Sequence, residues 1–227
     1  YNDNKYVGWM YGPTGTATSK SKEEAQTNTV DSTIKKVVDA WYKTNVEGAG
    51  YGDAVSDTLF CNDRSTPGIE VTGWSSDTGL GYGKNATAYG ATARMRMSFG
   101  YTGITPLFKC PGKNDSFTVN DTNKGNGALT YPVGLITIDE IVAAGSGKKG
   151  TSNNKYYLYN PSANIWSLSP DSFGASYSYT FFLYTTGLFS SDPVNSDAAI
   201  TPVINLSSEY ASALIGDGTM ENPYQEA

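Results

Sequence analysis

The chain has 227 residues, of which 38% are hydrophobic and 13% aromatic, and its formal net charge is −6. A chain of this length buries enough apolar surface to fold without covalent staples. The negative charge argues against a nucleic-acid partner, and since no run of about 18 apolar residues is present, we expect no membrane contact from this segment. Because residue 1 is Tyr, we expect a processed or trimmed product.

The first predicted elements are a strand-like opening and one long helix. Residues 1–12 are rich in aromatic side chains and end in a Gly-Pro pair, which is typical of a short extended segment. A helical stripe follows, formed by Ile34, Val37, Val38, Trp41 and Tyr42. Asp31 or Ser32 would cap its start and Asn45 or Gly48 its end. We expect this helix to pack on a sheet, with Trp41 and Trp166 both in the core.

Residues 48–127 are irregular and contain both cysteines, Cys61 and Cys110. Their polar, turn-rich surroundings favour a disulfide, which would pin this loop region and indicate an oxidising compartment, although two unpaired buried thiols remain the alternative. The alternation around Arg94 and Arg96 predicts a strand with a solvated basic face. An anion site there is the alternative.

A metal site of the Cys/His kind is excluded because the chain has no histidine and only two cysteines. The run beginning at Asp121 resembles a calcium loop at first, but Gly125, Asn126 and Pro132 occupy positions where an EF-hand needs an oxygen ligand, Gly and Glu. No cofactor is expected. The 22 acidic residues leave open an irregular calcium site elsewhere.

Residues 129–206 are predicted to form the central antiparallel sheet. Its strands are expected at 129–136, 164–170, 177–184, 186–189 and 199–206, where β-branched and aromatic residues alternate with polar ones. Between the first two, Thr137 and Glu140 have the spacing of a capping box, and Gly145 would end the short helix that they begin.

Five phrases together carry a resemblance to a known group of proteins. They are residues 60–65, 131–140, 166–170, 202–206 and 216–219. They resemble secreted surface proteins of gut-type Gram-positive bacteria, whose carboxy-terminal part is similar to the C-type-lectin-like fold of sulfatase-modifying enzymes and phage receptor-binding proteins.

The resemblance implies an α+β fold of the C-type-lectin-like kind, with a short antiparallel sheet, two helices and long irregular loops, as a single extracellular domain over residues 1–227. Thr201 departs from the family pattern, which usually has Arg there, so a charge interaction tied to that Arg is not carried over. The cysteine-pair activity of the sulfatase-modifying enzymes is not carried over either, because Cys61 and Cys110 lie outside the predicted sheet.

Three functions compete for such a chain. The first is a non-catalytic binding or adhesion module on the cell surface, with a glycan or a host or bacterial surface protein as partner. The second is a structural subunit of a surface appendage or pilus-like filament. The third is an enzyme using the acidic pair Asp139 and Glu140. A helix start explains that pair better, since carboxylates there cap the helix and oppose its dipole, so we expect no enzyme.

Recognition is expected on loops around the sheet, at 147–154, 171–176 and 190–197. Short polar side chains there suit a hydroxyl-rich or calcium-bridged ligand, and bordering tyrosines offer flat apolar faces. The predicted ligand-binding residues are Asn153, Asn154, Tyr156, Asp171, Tyr177, Asp192, Asn195 and Asp197. The alternative is that these residues only form turns.

Overall fold

A computed structural model describes the chain over residues 1–12, 17–66, 79–95, 105–146, 152–156, 158–174, 176–219 and 221–226. Within these ranges it is a mixed α+β protein with antiparallel sheets and few helices. The helices are α1 (Lys22–Ala25), α2 (Thr33–Tyr42), α3 (Gly90–Met95), α4 (Ile138–Ile141) and α5 (Ser208–Ala213). None of the described helices is long and apolar enough to cross a membrane.

The strands are mostly short. They are β1 (Met10–Tyr11), β2 (Val30–Asp31), β3 (Phe60–Cys61), β4 (Thr87–Ala88), β5 (Ser116–Phe117), β6 (Gly134–Leu135), β7 (Ile165–Phe173), β8 (Ser178–Leu183), β9 (Phe189–Pro193) and β10 (Pro202–Val203). One four-stranded sheet has the order β4-β7-β8-β9, and three two-stranded sheets pair β1 with β2, β3 with β5 and β6 with β10. The predicted strand-like opening is instead a 3₁₀ helix over Asn4–Val7, followed by β1.

The central sheet confirms two of the predicted strands, those at 164–170 and 177–184, and corrects three. The strand predicted at 186–189 falls mostly on the turn after β8, where Gly187 has a φ of 75°, and β9 begins only at Phe189. Strand β7 continues past Pro170 to Phe173, because register shifts on both sides of Pro170 let the sheet accommodate a residue without an N–H donor. Residues 199–206 were expected in this sheet, but β10 pairs with β6 in a separate ladder, and Ala199 makes only a bridge to Ile165. The strand predicted at 129–136 is reduced to the two residues of β6.

Both faces of the central sheet are covered by apolar side chains. Trp166, Leu168 and Phe182 pack with Val38 and Tyr42 of α2 in one cluster. On the opposite face, a second cluster joins the sheet to α3 and α4; it includes Phe181, Leu183, Phe189, Met95 and Ile138. Successive residues of a strand point to opposite faces, so the neighbours Phe181 and Phe182 belong to different clusters.

Helix α2 confirms the predicted stripe with one exception. Ser32 caps the helix, its hydroxyl accepting the Lys35 N–H at 3.1 Å, and the helix continues as a π-helical turn to Glu47, with Gly48 at its end. Val37 was expected to face the core but is half exposed, and Lys35 is fully buried instead. Trp166 is buried, as predicted, whereas Trp41 is only partly buried at the edge of the first cluster.

The predicted disulfide is present and closes a loop within the region 48–127. Cys61 and Cys110 are bonded, with their Cα atoms 5.5 Å apart. Arg94 was predicted on a solvated strand, which is wrong. It lies in α3 and pairs with Asp63 at 2.8 Å and Asp139 at 2.9 Å. Arg96 lies outside the described residues.

A buried guanidinium holds the same region to the N-terminal segment. Arg64 is 1% exposed and pairs with Asp115 at 2.7 Å. It also donates to the Met10 carbonyl at 3.0 Å and to Asn28 Oδ1 at 2.9 Å. The Arg64 backbone N–H donates to the other Asp115 oxygen at 2.9 Å. Four separate parts of the chain therefore meet at one side chain.

Replacing Arg64 by Met should lower the free energy of unfolding by about 3–5 kcal/mol, because the Asp115 carboxylate would remain buried without a cation. Urea denaturation followed by tryptophan fluorescence measures this change. The double variant Arg64→Met/Asp115→Leu should recover much of the loss, since it removes both charges.

Lys124→Met is the matched control, because Lys124 is 78% exposed in its ion pair with Asp121. Its denaturation midpoint should stay close to that of the wild type. Equal midpoints for Arg64→Met and Lys124→Met would contradict the structural role of Arg64.

Candidate functional site

A broad cleft lies where the N-terminal segment, the start of α2, strand β7 and the turn after β9 meet. Its volume is about 320 Å³, which is near the lower end for small-ligand sites. The lining is part aromatic and part polar. The side chains discussed below are those of Tyr1, Tyr6, Trp9, Tyr11, Ile34, Asn62, Trp166, Asn195 and Asp197.

Three tyrosines stand in a row along one wall of this cleft. The rings of Tyr1 and Tyr6 have centroids 5.5 Å apart at 67°, and those of Tyr6 and Tyr11 are 5.3 Å apart at 70°. Both contacts are edge-to-face, the arrangement that the aromatic quadrupole favours. In each of the two contacts, the edge of one ring therefore lies against the face of its neighbour.

The local fold sets the position of these rings. Asp3 caps the 3₁₀ helix Asn4–Val7 by accepting the Lys5 N–H at 2.9 Å, which orients Tyr6. Asn4 is buried and its amide lies 2.8 Å from the Asn85 carbonyl. Tyr11 belongs to β1, which pairs with β2 directly before α2.

Two phenols of this row, those of Tyr6 and Tyr11, resist ionisation. Burial raises the pKa of Tyr6, and the Asp3 carboxylate and the Tyr1 phenol raise it further. Burial also raises the pKa of Tyr11, with smaller contributions from Tyr6 and Tyr1. At neutral pH both hydroxyl groups therefore remain uncharged and able to donate or accept a hydrogen bond.

The floor of the cleft is apolar and firmly supported. Trp166 and Ile34 contribute from the sheet and from α2, and Trp9 is 4% exposed. Asn62 holds this floor together, because its Oδ1 accepts the Trp9 backbone N–H at 2.8 Å and its Nδ2 donates to the Leu168 carbonyl at 2.8 Å. The Trp9 indole N–H is buried and has no hydrogen-bond partner among the described residues.

Two of the predicted ligand-binding residues lie on the rim of this cleft. Asn195 and Asp197 are exposed in the turn after β9. Backbone hydrogen bonds fix the turn, with Val194 N–H donating to the Ser178 carbonyl at 3.0 Å and Ser196 N–H to the Pro193 carbonyl at 2.9 Å.

Asp171, predicted on a loop, lies inside β7 and is completely buried, so that prediction is wrong. Its Oδ1 accepts the Thr92 hydroxyl at 2.8 Å and its Oδ2 accepts the Ser172 hydroxyl at 2.9 Å. Asp192 lies within β9, opposite Thr180. Tyr177 is 45% exposed just before β8 and does not line the cleft.

The remaining predicted residues form a separate group. Asn153 forms a turn, its amide donating to the Gly145 carbonyl at 2.6 Å and its Oδ1 accepting the Lys155 N–H at 3.0 Å. Asn154 is exposed, and Tyr156 is buried in the second apolar cluster. None of the three lines the cleft. Residues 147–151 and 175 of the predicted loops lie outside the described residues.

A smaller cavity of about 140 Å³ contains the acidic pair considered for catalysis. Both Asp139 oxygens are engaged, by the Arg94 guanidinium and by the Leu107 N–H at 2.8 Å. Glu140 accepts the Thr137 N–H at 2.8 Å, which completes the predicted capping box. Burial lowers the pKa of Arg94, but the hydrogen bonds and charges of Asp139 and Asp63 raise it more, so the guanidinium stays charged. Asp139 thus stabilises the buried side of Arg94, and Glu140 caps α4.

Among the described residues, no cluster of three or more His, Cys, Asp or Glu side chains is arranged to hold a metal ion.

The aromatic cleft was missed by the sequence analysis. Its signal is the concentration of Tyr1, Tyr6, Trp9 and Tyr11 within eleven residues, which was interpreted as a strand.

Tyr156 yields a prediction about alkaline stability. Burial raises the pKa of its phenol to about 12, above the ordinary value of about 10. The folded state thus holds this proton more firmly, so the stability contribution is complete below about pH 10 and is lost as the pH rises through 12. The free energy of unfolding of the wild type, taken relative to that of Tyr156→Phe, should therefore fall between about pH 10 and pH 12.

Urea midpoints of both proteins over this range measure the effect. At neutral pH, Tyr156→Phe should be at least as stable as the wild type, because the hydroxyl has no hydrogen-bond partner among the described residues. A difference that stays constant from about pH 8 to pH 12 would contradict the buried position of the phenol.

In comparisons with protein-family models, curated proteins and solved structures, no match to the chain was found.

Proposed function

We propose that the chain is a non-catalytic binding module of an extracellular bacterial surface protein, and that the aromatic cleft is its binding site. The observation that carries the proposal is the row of three tyrosines opposite a polar rim, on a floor braced by Asn62. Partly exposed aromatic rings with fixed orientation are the usual anchors of recognition sites, because they contribute contact area at low entropic cost.

The disulfide supports the extracellular assignment. Cys61 and Cys110 are bonded, and such bonds persist in oxidising surroundings. The phrases at 166–170 and 202–206 support membership of the surface-protein group and the C-type-lectin-like form of the α+β fold. On this proposal the partner is a glycan or a host or bacterial surface protein.

The lack of catalysis is supported by the engagement of the acidic pair. Asp139 is buried and pairs with Arg94, and Glu140 accepts the Thr137 N–H at the start of α4, so each carboxylate already has a structural partner. A nucleic-acid partner is disfavoured by the net charge of −6 and by the cleft, where none of the described lining residues is Lys or Arg.

Screening the protein on an array of glycans and surface proteins, with and without calcium, tests the proposal. Tyr6→Ala should weaken binding of the best ligand by about fivefold or more, since one aromatic contact contributes roughly 0.5–1.5 kcal/mol beyond its area and the buried area adds to this. Tyr224→Ala is the matched control, because Tyr224 is 63% exposed and lies outside the cleft.

Binding that is insensitive to Tyr6→Ala and Tyr11→Ala, in variants with wild-type melting temperatures, would place the site elsewhere. Comparison of binding with and without calcium shows whether an ion bridges the protein and its ligand. Electron microscopy of the protein addresses the alternative function, because regular filaments would favour a structural subunit of a surface appendage.

A further inference from the structure

The chemistry of the cleft narrows the class of ligand, provided that the cleft is the binding site as proposed above. Its aromatic wall offers ring faces that are partly exposed, since Tyr6 and Tyr11 are partly buried and Tyr1 is 56% exposed. A pyranose ring matches such a wall, because one side of the sugar is a layer of C–H groups while its hydroxyls point outward around the edge. The C–H layer lies against an aromatic face and the hydroxyls remain free for polar partners.

The polar groups of the cleft suit hydroxyls. The Asn195 amide both donates and accepts, the Asp197 carboxylate accepts, and the Tyr6 and Tyr11 phenols do either. All four side chains line the same cleft. A set that mixes donors with acceptors in this way can pair with neighbouring hydroxyls of one sugar, each of which is itself a donor and an acceptor.

The charge of the cleft lining favours neutral over acidic sugars as ligands. Among the described lining residues, Asp197 is the only side chain charged at neutral pH. A carboxylated or sulfated sugar would meet this carboxylate on the exposed rim. The Lys5 ammonium, 5.1 Å from the centroid of the Tyr6 ring, is buried and donates to the Ala17 carbonyl at 2.6 Å. An uncharged sugar meets no such penalty.

The volume of the cleft favours a saccharide over a protein surface as the ligand. The cleft has a volume of about 320 Å³. Small-ligand sites have volumes of about 300–1,000 Å³, so this volume is that of a small-molecule site, whereas a stable protein–protein contact extends over about 800 Å² on each partner.

From these observations we infer that the cleft binds an uncharged saccharide, one or two pyranose units at a time, and discriminates against acidic sugars. The tyrosine row holds the C–H face of the sugar, and Asn195 and Asp197 bind its hydroxyls from the rim.

Titrations of the full chain with defined oligosaccharides test this inference. The neutral probes are lactose, maltotriose, cellotriose and triacetylchitotriose, and the acidic probes are 3′-sialyllactose and digalacturonate. Chemical-shift changes and tryptophan fluorescence report binding. We expect at least one neutral probe to bind more tightly than both acidic probes.

Three variants identify the groups responsible. Tyr6→Ala should weaken binding of the neutral probe by about fivefold or more, and Tyr6→Phe, which keeps the ring, should retain most of the affinity. Asp197→Lys should raise the affinity for the acidic probes by about threefold or more, because a repulsive charge becomes an attractive one. Tyr224→Ala should change none of these affinities.

The outcomes distinguish the two proposals. If no neutral probe binds, or if an acidic probe binds best, the inference about the ligand is overturned. If a protein partner found on the array depends on Tyr6 and Tyr11 while the sugars do not bind, the inference falls and the binding function stands. If no partner of either kind depends on Tyr6, Tyr11 or Asn195, the assignment of function to this cleft falls with it.

Discussion

The buried charge of Arg64 is the constraint on which most of this structure depends. A guanidinium that is 1% exposed is tolerated only when its donors are paired, so Asp115, the Met10 carbonyl and Asn28 must all be in place together. The guanidinium also needs a glycine beside it, because a Cβ atom on Gly8 would lie 3.0 Å from Arg64 Nη1. The N-terminal segment is therefore held against the disulfide-bonded region by polar contacts as well as by apolar packing. Since Tyr11 follows Met10 directly, the wall of the cleft is positioned by the same contacts.

Patterns that depend on near neighbours in the chain predicted much of the fold. The apolar spacing of α2, the alternation around residues 178–183 and the capping box of Thr137 and Glu140 each encode one element, and each is present. The disulfide followed from the turn-rich flanks of its cysteines. Predictions failed where distant partners decided the outcome. Asp171 follows a proline, and its neighbours have the composition of a turn, but irregular pairing of β7 with β8 keeps it in the sheet. Arg94 lies in a helix and forms ion pairs with Asp63 and Asp139.

The candidate site was only partly predictable for the same reason. Asn195 and Asp197 were found because turns after strands expose polar side chains, and this rule needs only local sequence. The opposite wall is built from Tyr1, Tyr6 and Tyr11, whose spacing of five matches neither a helix nor a strand. A 3₁₀ turn and a two-residue strand create the row, and the floor joins Trp9 and Ile34 to Trp166, which lies more than 130 positions further along the chain. No contiguous motif records such a site.

The hydrogen bonds between the N-terminal segment and β8 have a consequence for the order of folding during synthesis. The Tyr1 carbonyl accepts the Ser178 N–H at 3.1 Å, and the Asp3 carbonyl accepts the Ser178 hydroxyl at 2.6 Å. Contacts of such large separation form slowly, because the intervening chain must first be gathered. The N-terminal segment therefore waits for a strand 175 positions further along the chain, and the tyrosine row remains without its rim until Asn195 and Asp197 have been translated. An aromatic segment of the nascent chain therefore stays uncovered while more than 170 further residues are added, and during that time it is exposed to contacts outside the fold.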